Sequence, residues 1–203
     1  TAIRREDALV KFGLDPELPT VFFFGGSKGA ASINIALWKI LPQLCEHAQV
    51  LHATGEANWG DAQTKLETLP ETIRGRYHAY PYLHETIGAA FRAADLIVSR
   101  AGASTIGEFP LFAVPAILVP YPHAWRYQRI NAEYLVSKGA ARLLRDEELT
   151  DGLLPNVLAV LTDAEERERM SAAMRSLAKP DAADAIAAVL LEAGGKTNKK
   201  RKK

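Results

Sequence analysis

Three short segments of this chain carry residues suited to ligand chemistry. The first is Gly25-Gly26-Ser27-Lys28-Gly29-Ala30. Glycines permit positive φ and a close approach of ligand to backbone. Free N–H groups at a helix start favour an anion, typically phosphate, and Ser27 adds a hydroxyl donor. The spacing is neither the G-x-G-x-x-G of dinucleotide binders nor the G-x-x-x-x-G-K-[ST] of ATPases. A tight strand-to-helix turn would use the same residues. The second segment runs from Ser99 through Arg100, Ala103, Ser104 and Thr105 to Glu108. Its small residues leave room for a ligand, its N–H groups can hold a further anionic group, and Glu108 can accept both vicinal hydroxyls of a ribose. Thr105-x-x-Glu108 equally fits a helix capping box. Pro110 requires the helix to begin close to Glu108 or to be distorted there. The third segment, Pro120 to Ala132, offers His123, Gln128 and Asn131 as partners for sugar hydroxyls, although such residues at a helix start also serve structure.

All three lie where a predicted strand gives way to a helix. Val21–Phe24, Val50–Ala53, Tyr77–Tyr80, Leu96–Ser99, Ala116–Val119 and Ala141–Leu144 are short apolar runs bounded by glycine, proline or polar residues. Between them, helical spacing predicts helices over Ala30–His47, Asp61–Leu69, Glu85–Ala93 and Arg126–Lys138. Further helices are predicted at about 152–161, 164–178 and 181–193. Buried strands alternating with amphipathic helices define a doubly wound, Rossmann-like α/β domain with a parallel sheet. Ligands of such sheets collect at the carboxyl ends of the strands.

Composition narrows the class. The chain has 203 residues, 48% hydrophobic and 24% charged, as an ordinary globular domain has. Residues 1–195 read as one domain and 196–203 as a basic, disordered tail. The tail holds six Lys or Arg; without it 19 basic residues face 24 acidic ones, so the body is no nucleic-acid binder. The tail could touch an anionic membrane surface, each charge adding about 1 kcal/mol. The single cysteine, Cys45, sits in an apolar helical pattern and reads as a core residue. His52, His78 and His84 lack metal-ligand spacing, and neither Asp-x-Asp nor Gly-x-Ser-x-Gly occurs. No segment reads as a signal peptide or membrane span.

Taken in order, Gly25 to Ala30, Arg100 to Thr105 with Glu108, and Pro120-x-x-His123 followed by Gln128 and Asn131-Ala132 resemble the MurG family. These are family 28 glycosyltransferases of GT-B fold. The likeness includes His52-Ala-Thr-Gly55 and Tyr82-Leu-His84-Glu85, and runs from residue 1 to about 145, more loosely to 193. It implies an inverting N-acetylglucosaminyltransferase of peptidoglycan synthesis, with UDP-N-acetylglucosamine as donor and a lipid-linked muramoyl-pentapeptide as acceptor. The chain would supply the donor-binding half, and a missing N-terminal domain would meet the acceptor. The resemblance implies no cofactor and no metal, and a cytoplasmic location, peripheral at the inner membrane face. By the same resemblance Glu108 takes the ribose hydroxyls, and the backbone near His84 reads the uracil edge. Ser27 and Arg4 face the diphosphate, with the turns at Gly26 and at Arg100 through Ala103, Ser104 and Thr105. Gln128 contacts the N-acetylglucosamine. Tyr127 replaces the family's second glutamine, which bears on selectivity between sugar epimers, and Pro110 replaces its usual small residue. A donor-binding subunit of a two-chain transferase, a UDP-N-acetylglucosamine 2-epimerase, a related galactosyltransferase and a nucleotide-binding regulatory module are the competing readings.

Overall fold

The computed structural model describes residues 3–26, 29–124 and 127–200, with side chains as far as residue 194. Among the described residues six parallel strands form one sheet: β1 (Thr20–Phe24), β2 (Gln49–Ala53), β3 (Tyr77–Tyr80), β4 (Leu96–Ser99), β5 (Ala116–Leu118) and β6 (Ala141–Leu143). Their order in space is β3-β2-β1-β4-β5-β6. The helices are α1 (Arg5–Phe12), α2 (Ala31–Leu44), α3 (Trp59–Thr68), α4 (Glu71–Arg74), α5 (Ile87–Ala93) and α6 (Ala103–Phe112), followed by α7 (Tyr127–Ser137), α8 (Leu149–Leu161), α9 (Ala164–Ser176) and α10 (Ala182–Lys200).

Helices cover both faces because successive strand residues point to opposite sides and both sides are apolar. Phe22 and Phe23 are each fully buried, one in either core. The Phe22 side packs against α1, α5, α6 and α7, whereas the Phe23 side packs against α2 and α8. Cys45 lies in the second core, and burial pushes its thiol up to about 11. On the first side, Phe24 meets Phe91 at 5.6 Å and Phe109 at 6.0 Å, so rings from β1, α5 and α6 interlock below the end of β1. Such edge-to-face pairs fix orientation as well as burying area.

Four local features differ from the sequence reading. Residues 5–12 form α1, buried through Ala8, Leu9 and Phe12, an element the helical spacing did not predict. The short helix α4 was also unforeseen; with four residues it has no periodicity to read. Helix α6 begins at Ala103 with Gly102 as its N-cap, so Thr105 is already inside the helix and the capping-box alternative is excluded. Pro110 therefore lies near the C-terminal end of α6, where the helix stops at Ala113 in the left-handed region (φ 56°). Only the last turn has to absorb the missing N–H. Helix α10 runs on to Lys200 into the segment expected to be disordered, because extending a nucleated helix costs far less than starting one. Its residues Ile186, Val189, Leu190 and Leu191 stay exposed. No helix among the described residues is long and apolar enough to cross a membrane.

One polar chain crosses the second core. His52 on β2 is fully buried, with Nδ1 2.8 Å from Tyr77 Oη and Nε2 3.0 Å from Asn34 Oδ1. The Asn34 amide nitrogen donates to Thr54 O at 2.9 Å, so its oxygen accepts and His52 carries its proton on Nε2. Tyr77 then donates to Nδ1 and accepts from the Trp38 indole N–H at 3.0 Å. Burial holds the imidazole neutral, with its pKa lowered to about 3. An unfolded histidine binds its proton near pH 6.5. The unfolded chain thus takes up protons between those values while the native one does not. The associated stability is complete above about pH 6.5 and is lost toward pH 3, by up to about 1.4 kcal/mol per pH unit. Urea unfolding at pH 7 and pH 5 should show this slope, and His52→Phe should be less stable at pH 7 yet flatter with pH. An equal slope in both proteins would exclude His52 as its source.

Candidate functional site

Beside β1 the strand order reverses: β2 lies on one side and β4 on the other. Phe24 at the end of β1 is level with both Ala53 and Ser99. The turns leading into α2 and α6 therefore leave the sheet side by side, at the switch point where such sheets bind ligands. Among the described residues neither N-cap, Ala30 or Gly102, supplies a side-chain cap, and neither helix carries an acid in its first turn. Helix α9, by contrast, is capped by Asp163, which accepts from the Glu166 N–H, and has Glu165 and Glu166 in its first turn. The two uncapped helix starts leave donors and positive dipole ends available to a negative group.

Two cavities flank these turns. One, of about 640 Å³, is lined by Gly25, Gly29 and Ala30 from the first turn, by Arg100, and by His123 and Gln128 beyond β5. The other, of about 310 Å³, holds Gly26, Ser104 and Glu108 with Tyr82 and His84 from the segment after β3. Gly25 and Gly26 thus form the ridge between them. A Cβ on Gly25 would come within 2.2 Å of Ala30 N, so only glycine closes this turn. Gly29 sits at φ +71°, and a Cβ there would meet Thr54 O at 2.5 Å and Asn58 Nδ2 at 2.8 Å. Thr54 O is the end of the buried His52 chain, so the core reaches the turn through that carbonyl.

The sequence candidates divide accordingly. Gly26, His84, Ser104 and Glu108 share the smaller cavity, whereas Arg100 and Gln128 line the larger. Ala103 opens α6, and Thr105 is buried behind it with Oγ1 3.4 Å from Arg100 O. Ser27 lies outside the described residues. Arg4 lines neither cavity; its exposed guanidinium binds Asp7 at 3.0 Å. Its neighbour Arg5 is tied to Asp95, ahead of β4, at the end of the strands away from the glycine turns. Asn131 is spent on structure, donating to Ala101 O at 3.0 Å. Gln128 accepts from Tyr121 N–H at 2.9 Å through Oε1, which leaves its amide N–H groups for a ligand.

Arg100 is the largest change. Its side chain is only 10% exposed, and its Nη1 pairs with Asp146 while Nη2 donates to Ser32 Oγ at 2.6 Å. Nη1 also reaches Val119 O at 3.1 Å, and the guanidinium lies 5.3 Å from the centre of the Tyr121 ring. Ser32 donates in turn to Asp146 at 2.8 Å. The Arg100 charge is thus balanced within the wall, and the triad ties the two turns to the loop after β6. Ser32 and Asp146 went unnoticed in the sequence; Asp146 opens an ordinary acidic run, and only the placing of β6 beside β5 brings it here. Glu108 is exposed, yet partial desolvation raises its pKa, with a hydrogen bond from Ser104 acting the other way. Among the described residues no three His, Cys, Asp or Glu side chains converge as metal ligands would.

Strand order, uncapped helix starts and paired cavities together define a Rossmann-like ligand-binding domain of the GT-B type. Residues 20–186 match the family described as Glycosyltransferase family 28 C-terminal domain, and the chain belongs to that family. A protein of Roseiflexus sp. (strain RS-1), named UDP-N-acetylglucosamine–N-acetylmuramyl-(pentapeptide) pyrophosphoryl-undecaprenol N-acetylglucosamine transferase, is 40% identical over 201 residues, 88% of this chain and 45% of its own length. The protein of the same name from Chlorobium phaeobacteroides is 42% identical over 188 residues, 92% of this chain and 50% of its own. The crystal structure of Acinetobacter baumannii MurG superposes with a TM-score of 0.76 at 25% identity, covering 95% of this chain and 54% of that one. The chain thus spans about half the length of the curated relatives it matches.

The glycine geometry carries a stability test. Gly29→Ala combines positive φ with two contacts far inside van der Waals distance, and should cost about 1–3 kcal/mol in chemical denaturation. Gly107→Ala on α6, where a Cβ meets nothing within 4 Å, should instead stabilise by about 0.5–1 kcal/mol.

Proposed function

We propose that this chain binds UDP-N-acetylglucosamine and presents it for inverting transfer to a lipid-linked muramoyl-pentapeptide, as the donor-binding half of a peptidoglycan glycosyltransferase. The observation that carries this reading is the pair of uncapped helix starts, α2 and α6, between two cavities suited to the two ends of a sugar nucleotide. In the smaller cavity the ionised Glu108 accepts the ribose hydroxyls, Ser104 stands beside it, and the backbone near His84 meets the uracil edge. The diphosphate spans the Gly25-Gly26 ridge onto the N–H groups of both helices, with the Ser27 hydroxyl as a further donor. In the larger cavity the free amide N–H groups of Gln128 hold the N-acetylglucosamine. Tyr127, exposed at the start of α7 and next to Gln128 in the chain, bears on epimer selectivity. Arg100 serves by holding the turns and Arg4 has no part in the site.

An acceptor hydroxyl attacks the anomeric carbon as UDP departs, and negative charge grows on the diphosphate. Preorganised N–H dipoles stabilise that charge without reorganising at the moment of reaction. The acceptor and the general base belong to the part of the relatives that this chain does not span. Because that acceptor is lipid-linked, the protein works at the cytoplasmic membrane surface. The names of the relatives favour this reading over a 2-epimerase or a regulatory module.

Calorimetric titration with UDP-N-acetylglucosamine tests it. Glu108→Ala should weaken binding by about 1.5–3 kcal/mol, the worth of hydrogen bonds to a charged group, with little loss of stability. UDP-galactose should bind less well than the N-acetylglucosamine donor. The raised Glu108 pKa gives the pH sign: affinity should fall on acidification, starting at a higher pH than an ordinary glutamate would dictate, and Glu108→Gln should remove that dependence. Binding of UDP with no gain from the sugar would reject the transferase reading.

A further inference from the structure

At the opposite end of the strands, ahead of β4 and β5, lies a cavity of about 440 Å³ whose walls include Arg5, Arg92, Arg167, Phe112 and the start of α9. Arg92 comes from the last turn of α5. Its guanidinium carbon stands 5.3 Å from the centre of the Phe112 ring. Stacking engages the face of the guanidinium and leaves the N–H groups, which lie in its plane, without partners. Its Nε is buried and makes no hydrogen bond, and no ion pair among the described residues includes it.

Most nearby acceptors are already engaged, the exposed Glu168 carboxylate excepted. Arg5 donates to Ala93 O at 2.8 Å and to Asp95 at 2.8 Å, and Asp95 also accepts the Thr20 N–H at 2.8 Å. Arg167 holds the last carbonyls of α8, Val160 at 3.4 Å and Leu161. The Ala113 carbonyl ending α6 accepts from Ser171 at 2.8 Å. Glu168 lines the cavity but forms no ion pair with Arg92. The cavity therefore presents an unpartnered cation whose buried donor needs an acceptor that the fold does not supply.

We propose that this cavity binds a small oxyanion, a phosphate or carboxylate group, with Arg92 as its principal ligand. The guanidinium fork matches either group through paired N–H bonds. The site is independent of the glycine turns, which lie at the other end of the strands.

Nitrogen-15 NMR of the 203-residue chain tests it, with inorganic phosphate and malonate titrated separately at constant ionic strength. Saturable shifts of the Arg92 Nε–H and of the Phe112, Ala113 and Ala164 amides are expected, the tighter ion naming the group. Arg92→Gln should weaken binding on the order of tenfold or more. Arg92→Lys, which keeps the charge and loses the fork, should fall between, and serves if the glutamine variant does not fold. Glu168→Gln should tighten binding by removing a negative wall. Shifts that never saturate, or that Arg92→Gln leaves unchanged, overturn the proposal. So does a loss of stability in Glu168→Gln without any anion response, which would mean that Arg92 pairs with Glu168. Shifts confined to Gly25, Gly29 and Ala30 would overturn this site and leave the donor site standing.

Discussion

Parallel pairing of β1 with β4 forces two helix starts into one small region. Their dipoles point the same way, and their first N–H groups have no side-chain caps. Two positive ends side by side repel unless something negative lies between them. An unbalanced arginine in the wall would worsen this. Asp146 neutralises Arg100, so the field offered to a ligand comes chiefly from backbone dipoles fixed by the fold. Backbone donors of this kind cannot swing away, which suits them to a group of negative charge.

The cores hold this arrangement from below in different ways. On one side the phenylalanine cluster clamps α5 and α6 to β1 by area and ring geometry. On the other a directed chain of hydrogen bonds runs from Trp38 through Tyr77, His52 and Asn34 to the Thr54 carbonyl, against which Gly29 rests. Apolar packing sets position loosely and strongly; a fully satisfied buried polar chain sets it narrowly, because any shift leaves a donor unpaired. The glycine turn therefore inherits its register from the interior.

Much of this was legible in residue order alone. Alternation of apolar runs with 3.6-residue periodicity gave the parallel α/β class, and the positions of Gly25, Gly26 and Gly29 marked a turn where backbone meets ligand. Glu108 and Gln128 stand out by type and position and Ser104 by the resemblance, and all three line the two cavities; the family is legible in the fixed order of the three segments. These are local properties, written in contiguous residues, and local chemistry is what a sequence states directly.

Other features were decided only by tertiary structure. Arg100 follows β4 and Gln128 opens α7, but which one keeps a free donor depends on Asp146, 46 residues beyond Arg100, and on Tyr121. Arg4 is drawn to Asp7 within its own segment, and Asn131 is spent on a carbonyl 30 residues away. The unpartnered state of Arg92 is likewise invisible until α5, α6, α8 and α9 meet. Residue types name the hydrogen-bonding and charged groups a chain owns. Which of them remain unsatisfied, and so available to a ligand, is fixed by distances between segments far apart in sequence.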